Sequence, residues 1–143
     1  MNLSDLLTEG RIKKVEPDFL QAKECLAAAR RDVSVARKML KEDCDWSFSI
    51  SYNAMLQSAR ALMFSDGYST TGENHHKAVV DYADSKLGAK MGEKIEMFDR
   101  MRRKRHQAVY EKAGIVSEYE AKHALGVAED FLEKIGQKLK ESR

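Results

Sequence analysis

Residues that break or cross-link a chain are scarce in this 143-residue sequence, which has one proline, eight glycines and two cysteines. So few breaks exclude an all-β fold, because many short strands need turn residues at each connection. Cys25 and Cys44 lack the Cys-x-x-Cys spacing of a zinc or redox site, so we expect two reduced thiols packed as small apolar side chains. No motif for a metal, a nucleotide cofactor or a dinucleotide is present, and we expect no metal and no cofactor.

Long apolar runs are absent as well. No stretch of about 18 apolar residues occurs, so the sequence predicts no membrane-spanning helix. Residues 1–10 contain Asp5 and Glu9 and no long apolar core, which is unlike a secretory signal. Together with the reduced cysteines, these features predict a cytoplasmic protein without a membrane partner.

Helix-forming residues are abundant. Hydrophobic residues make up 43% of the chain and charged residues 34%, and Ala, Leu, Lys, Glu, Met and Arg dominate, which is typical of a folded helical protein. We predict an all-α fold, an up-and-down antiparallel bundle of four long or medium helices plus one shorter helix. We expect a single domain over residues 1–143, with residues 1–16 as a short N-terminal extension.

Capping residues and apolar spacing predict the ends of the first two long helices. Pro17 suits the first turn of a helix whose apolar stripe runs from Phe19 to Leu40. Asp45 is the predicted N-cap of a helix over residues 46–66, and Gly67 follows as its C-cap.

The remaining boundaries follow from similar signals. Residues 67–73 are predicted to form a polar turn, followed by a short helix over residues 74–86 and a longer one over residues 91–112. Ser117 and Glu120 have the spacing of a capping box, which predicts the start of a last helix that reaches residue 139. Its predicted buried face consists of the apolar residues at helical spacing: Ala121, Ala124, Leu125, Ala128, Phe131, Leu132, Ile135 and Leu139.

The segment 100–105 is the most unusual feature of the sequence, with five cations in six residues. Most such runs form a solvated charged face. Arg105, however, lies four residues after Met101 and three before Ala108, on the apolar side of the predicted helix. A buried guanidinium cannot lose its proton, so it must meet a carboxylate, a cluster of carbonyls or a phosphate. The candidate partners inside the chain are Asp66, Asp99, Asn53 and Gln57.

Other polar and aromatic side chains offer weaker signals. Arg102, His106 and Tyr110 follow one another at four-residue steps, so they would present a cation, an imidazole and a phenol to one ligand. We expect three histidines to lie at the surface: His75, His76 and His123. We expect three aromatic residues to make core or dimer contacts: Trp46, Phe48 and Tyr52.

Three segments of the sequence resemble the HEPN domain family, a group of small helical bundles that includes prokaryotic toxins, nucleotide-binding modules and ribonucleases. They are residues 51–68 on the second long helix, the basic block 99–110, and the last helix with Glu120-Ala121 and residues 128–132. The functional motif of the family is an arginine followed, after four to six residues, by a histidine. In active members the pair lies in a cleft at a dimer interface and cleaves RNA without a metal, with histidine as the general base and arginine stabilising the phosphorane-like charge.

The sequence fits this motif in two ways. Arg100 pairs with His106 across five intervening residues, or Arg105 is the motif arginine and Tyr110 takes the place of the histidine. The core-side position of Arg105 favours the second alignment, in which a phenol, a poor general base near neutral pH, implies binding of phosphate without cleavage. The candidate catalytic residues are therefore Arg100, Arg105, His106 and Tyr110, and the candidate ligand-binding residues are Arg102, Arg105, Asn53 and Gln57.

The resemblance implies a homodimer that binds a nucleotide or an RNA phosphate in a basic cleft, paired with a small nucleotidyltransferase in a toxin–antitoxin system. One alternative is a metal-independent ribonuclease toxin that uses Arg100 or Arg105 with His106. A second is a non-catalytic scaffold whose basic helix packs against an acidic protein. Steep salt dependence of RNA binding would separate phosphate contacts from a protein scaffold.

Overall fold

The computed structural model describes residues 2–72 and 75–141, and the side chain of residue 141 is left aside. It contains five helices and two short strands, in the order α1 (Leu3–Thr8), β1 (Ile12–Lys14), α2 (Phe19–Met39), α3 (Cys44–Asp66), β2 (Tyr68–Thr70), α4 (His75–Tyr110) and α5 (Glu118–Glu141). The predicted all-α bundle is confirmed. In the described ranges, no helix is long and apolar enough to cross a membrane.

Helix α3 is the centre of the bundle and packs against α2, α4 and α5. Thirteen of its 23 residues are buried, so it is enclosed on several sides rather than along one stripe. It runs antiparallel to α2, because the Ser47 hydroxyl near its start donates to the Ala36 carbonyl at 2.7 Å, while the Phe64 carbonyl near its end accepts from the backbone of Asp18 at 2.9 Å. The buried face predicted for α5 is confirmed: Ala121, Ala124, Leu125, Ala128, Phe131, Leu132, Ile135 and Leu139 are all buried.

Helix α4 reverses direction at Met91, whose backbone leaves the helical region at φ −130° and ψ 30°. We call residues 75–90 the first arm and residues 92–110 the second arm. Lys77 Nζ lies 3.5 Å from Asp99 Oδ1, although 22 residues of straight helix would separate these positions by about 33 Å. The two arms therefore lie side by side. The sequence correctly predicts two helical segments, but it predicts a break over residues 87–90, whereas in the structure the break is the single residue Met91.

The predicted polar turn after α3 contains a strand that the sequence reading missed. Strand β2 pairs antiparallel with β1, with Ile12 opposite Thr70 and Lys14 opposite Tyr68. Gly67 is the C-cap of α3 at φ +86°, as predicted, and a side chain there would place its Cβ 2.9 Å from the Val15 carbonyl oxygen. A left-handed backbone and this close approach both require glycine.

Two predicted helix starts were wrong. Helix α2 begins after Asp18, which caps it by accepting from the Gln21 N–H at 3.0 Å, so Pro17 precedes the helix. Helix α3 begins after Asp43, which accepts from the Trp46 N–H, rather than after Asp45. Phe19, predicted to be buried, is 46% exposed. The capping box of α5 is confirmed, because Ser117 and Glu120 exchange hydrogen bonds of 3.0 and 3.1 Å.

Asp45 holds the loop between α4 and α5. One carboxylate oxygen accepts from the Gly114 N–H at 2.5 Å and the other from the Val116 N–H at 3.1 Å. Both donors are backbone groups of the loop that follows the second arm of α4. The carboxylate thereby ties the end of α4 to the beginning of α3.

We predict that Asp45→Ala lowers the free energy of unfolding by about 1–3 kcal/mol, because two backbone donors lose a charged acceptor. Glu111→Ala, which removes an exposed carboxylate at the same end of the bundle, should change it by less than about 0.5 kcal/mol. Urea denaturation followed by circular dichroism measures both. Equal stability of the two variants would contradict this role for Asp45.

Candidate phosphate-binding site

Arg105 lies on the second arm of α4 and is half-buried, in agreement with its predicted position on the core side. The two acidic residues considered as partners are engaged elsewhere. Asp99 pairs with Arg102 at 3.1 Å, Lys77 at 3.5 Å and Arg103 at 3.8 Å, and Asp66 accepts a hydrogen bond from Tyr82. Over residues 2–72 and 75–141, Arg105 forms no ion pair and no hydrogen bond through its guanidinium.

Two tyrosine rings are the neighbours of the Arg105 guanidinium. Its central carbon lies 5.8 Å from the ring centroid of Tyr52 and 5.9 Å from that of Tyr110. Tyr52 comes from the central helix α3 and is fully buried, whereas Tyr110 ends α4 and is 65% exposed. The cation therefore lies between the core and the surface, in contact with an aromatic ring on each side.

Tyr52 is fixed on its other sides by the bundle. Its ring lies 5.7 Å from Phe98, which in turn lies 5.7 Å from Phe131 of α5. Burial raises the pKa of Tyr52 above its usual value, and the charges of Arg105 and Arg102 offset this only in part. Tyr52 is consequently a neutral phenol over the ordinary pH range.

His76 is part of the same cluster, although the sequence placed it at the surface. The Tyr52 hydroxyl lies 2.9 Å from His76 Nδ1, and the imidazole is half-buried. Burial, followed by the positive charges of Arg105 and Arg60, lowers the pKa of His76. No sequence signal links His76 to Arg105, since 29 residues separate them and only the reversal of α4 brings them together.

Of the predicted row Arg102, His106 and Tyr110, the last two side chains are in contact and the first is directed elsewhere. The rings of His106 and Tyr110 lie 4.9 Å apart and both side chains are exposed. Arg102 is directed to Asp99, to which its Nε donates at 3.1 Å. Burial would raise the pKa of Asp99, but the hydrogen bond from Arg102 and the charge of Lys77 outweigh it and lower the pKa. A carboxylate therefore partly neutralises the Arg102 charge.

Arg100 and His106 lie on different sides of α4. Six residues of helix correspond to a rotation of about 240° and a rise of about 9 Å. Arg100 is exposed and lines a groove of about 560 Å³ between the two arms, together with Lys77, Asp81 and Arg103. His106 instead contacts Tyr110. Within one chain, the second motif alignment, Arg105 with Tyr110, is the one whose two members are in contact.

Among the described residues, no hydrogen bond joins Asn53 or Gln57 to Arg105. The Asn53 amide donates instead to Asp32 Oδ2 of α2 at 2.7 Å, and its position on α3 is turned by about 100° from that of Tyr52. Gln57 is half-buried one turn further along, and among the described residues no hydrogen bond joins it to the cluster. The structure therefore places Asn53 at the contact between α2 and α3, and Gln57 follows it by one turn on α3.

Among the described residues, no ring contact or hydrogen bond joins Trp46, Phe48, His75 or His123 to this cluster. Phe48 is buried and Trp46 is 53% exposed. His123 is exposed, as predicted, and stacks on Tyr119, and the exposed His75 contacts the Thr70 hydroxyl at 3.0 Å. Within the part of the chain that the structure describes, no three His, Cys, Asp or Glu side chains are grouped to hold a metal ion.

A model of the HEPN domain family matches residues 22–139. This range covers most of α2 and α5, all of α3 and α4, and the whole Tyr52–His76–Arg105–Tyr110 cluster. Among curated proteins, no sequence matches the chain. The chain therefore belongs to the HEPN domain family, as the resemblance of residues 51–68 and 99–110 indicated.

We predict that the protein loses stability as the pH falls below about 6.5, in part through His76. Its pKa is lowered in the folded state, so the unfolded chain binds a proton first and is favoured as the solution is acidified. Above the unfolded pKa both states carry a neutral imidazole and the effect vanishes.

Thermal unfolding of the wild type and His76→Gln between about pH 5 and 8 tests this. The variant should lose less stability on acidification than the wild type, and His123→Gln, an exposed control, should behave as the wild type. Parallel pH profiles for the wild type and His76→Gln would contradict the burial of a neutral imidazole.

Proposed function

We propose that this HEPN protein binds a nucleotide or RNA through a phosphate group held by Arg105. The observation that carries the proposal is a half-buried guanidinium with no carboxylate partner among the described residues, held between Tyr52 and Tyr110. A cation kept in such a place without an internal counterion is costly. An anionic ligand would offset that cost.

The ring contacts leave the hydrogen-bonding capacity of Arg105 available. A guanidinium has five N–H donors, and an aromatic face is only a weak acceptor for them. Phosphate oxygens match the fork of donors with two parallel hydrogen bonds. A phosphate is therefore a better partner than a single carbonyl or hydroxyl group.

The exposed rings beside Arg105 favour a nucleotide over inorganic phosphate. His106 and Tyr110 lie 4.9 Å apart at the surface, next to the guanidinium. A base can stack on such rings while its phosphate meets the cation, and stacking accepts any base because every base has a π-face. These contacts would bind single-stranded RNA or a mononucleotide without strict sequence preference.

We predict that Arg105→Met weakens the binding of a labelled single-stranded oligoribonucleotide at least about tenfold, which is the expected loss of a charge-assisted contact. The slope of log affinity against log salt should fall by about 0.7, the value for one phosphate contact on a single strand. Fluorescence anisotropy across a salt series measures both quantities.

Arg103→Met is the matched control, because Arg103 lies on the same helix with its side chain 60% exposed, directed to Asp99. It should retain affinity within about threefold. Equal losses in the two variants would mean that the basic helix acts only through its general charge. Undiminished binding by folded Arg105→Met would overturn the proposed site.

We further propose that the protein acts as a homodimer, with a nucleotidyltransferase as partner in a toxin–antitoxin system. The support comes from the family, in which dimers are common, and from exposed aromatic surface at one end of the bundle. Trp46 is 53% and Tyr110 65% exposed. They lie near the beginning of α3 and the end of α4, which Asp45 ties together. A second copy that covers these rings would complete a cleft around Arg105.

Sedimentation equilibrium at micromolar concentration should give twice the 16.3 kDa mass of the chain. Trp46→Ser should shift the protein toward the monomer, since a buried indole contributes strongly to an interface. Trp46 fluorescence should be more blue-shifted in the dimer than in the monomer. A wild-type monomer under these conditions would remove the dimer from the account.

A further inference from the structure

One tyrosine joins a histidine and an arginine that are distant in sequence. The Tyr52 hydroxyl is 2.9 Å from His76 Nδ1 on the first arm of α4, and the Tyr52 ring lies 5.8 Å from the Arg105 guanidinium on the second arm. The rings of Tyr52 and His76 are 5.7 Å apart. The half-buried imidazole and the Arg105 guanidinium therefore contact the same tyrosine.

The charged groups around His76 are nearly all positive. Arg60 faces it from α3, where the neutral Tyr52 also lies, and Arg105 and Arg102 face it from the second arm. His75 adjoins it on its own arm. The acidic Asp99 lies near Tyr52, and it is engaged with Arg102, Lys77 and Arg103. An imidazole in these surroundings is neutral in the free protein near pH 7.

We propose that His76 is a further binding residue of the Arg105 site, and that it holds an RNA phosphodiester as the imidazolium, so that binding takes up a proton. This inference rests on the proposed function. The proton comes from solvent and is carried on the imidazole, and no bond of the ligand is made or broken.

Binding favours proton uptake because the ligand makes the electrostatic potential at His76 more negative. Without a ligand, the neighbouring arginines repel a proton from His76. A phosphodiester between them adds a negative charge that attracts the proton and accepts a hydrogen bond from the imidazolium. Affinity then rises as the pH falls, by at most tenfold per pH unit for one proton, and is constant at pH values where His76 is neutral in both states.

Calorimetric titration with a short oligoribonucleotide that lacks terminal phosphates tests the proposal, because phosphodiesters do not titrate between about pH 5 and 8. Measurements near pH 7 in buffers of different ionisation enthalpy give the number of protons taken up. We expect about half a proton or more per bound ligand for the wild type, and an affinity that rises about three- to tenfold between pH 8 and 6. Both effects should disappear in His76→Gln.

His75→Gln and His123→Gln are the matched controls, because each removes an exposed imidazole that the proposed site does not use, and both should retain the proton uptake. Uptake that persists in His76→Gln, or is lost in His75→Gln, would overturn the assignment. Arg105-dependent binding without proton uptake would also overturn it, while the proposed function would stand. Absence of oligonucleotide binding at low salt would overturn both.

A second measurement needs no variant and covers the case in which His76→Gln does not fold. Histidine ring resonances of the wild-type protein, followed by NMR across pH, give the pKa of His76 directly. The pKa of His76 should rise when the oligoribonucleotide is added, whereas the ring resonances of His123 should not shift at any fixed pH. An unchanged pKa of His76 in the saturated complex would overturn the proposal.

Discussion

The reversal of α4 at Met91 is the constraint on which the cluster depends. In a straight helix His76 and Arg105 would lie about 44 Å apart, but the folded-back arms bring both of them to Tyr52. The salt bridge of Lys77 with Asp99 and the burial of Ile95, Phe98 and Met101 hold the second arm in place. One backbone irregularity therefore unites side chains from three helical segments.

The central position of α3 gives this arrangement its rigidity. Tyr52 is enclosed by the bundle and contacts Phe98, so its ring and hydroxyl present a fixed surface to Arg105 and His76. Burial keeps the phenol neutral, so Tyr52 does not compete with a ligand for the cation as a carboxylate would. The cluster combines the rigid, neutral phenol of Tyr52 with the exposed rings of His106 and Tyr110 at its rim, which suits recognition of a flexible anionic chain.

Most of the fold could be predicted from the sequence, because apolar spacing and capping residues are local signals. The buried face of α5, the Ser117–Glu120 capping box and the Gly67 C-cap followed from such signals. Aspartates at positions 43 and 45 are equivalent as N-cap residues in sequence, so the start of α3 was misplaced. The pairing of β1 with β2 depends on contacts between segments more than 50 residues apart, for which three-residue strands carry no pattern. In the cluster, helical spacing placed Arg105 toward the core, whereas Tyr52 and His76 could not be assigned to it without the reversal of α4.

The central claim is that the two arms of α4 and Tyr52 form one anion-binding site. NMR titration of the wild-type protein with a short single-stranded oligoribonucleotide at low salt tests it most directly. The account predicts that the Arg105 Nε–H and the rings of Tyr52, His76 and Tyr110 shift together along one binding curve, while Tyr119 and His123 on α5 remain unchanged. Shifts centred on Tyr119 and His123, with Tyr52 and His76 unperturbed, would place the ligand elsewhere and contradict the account.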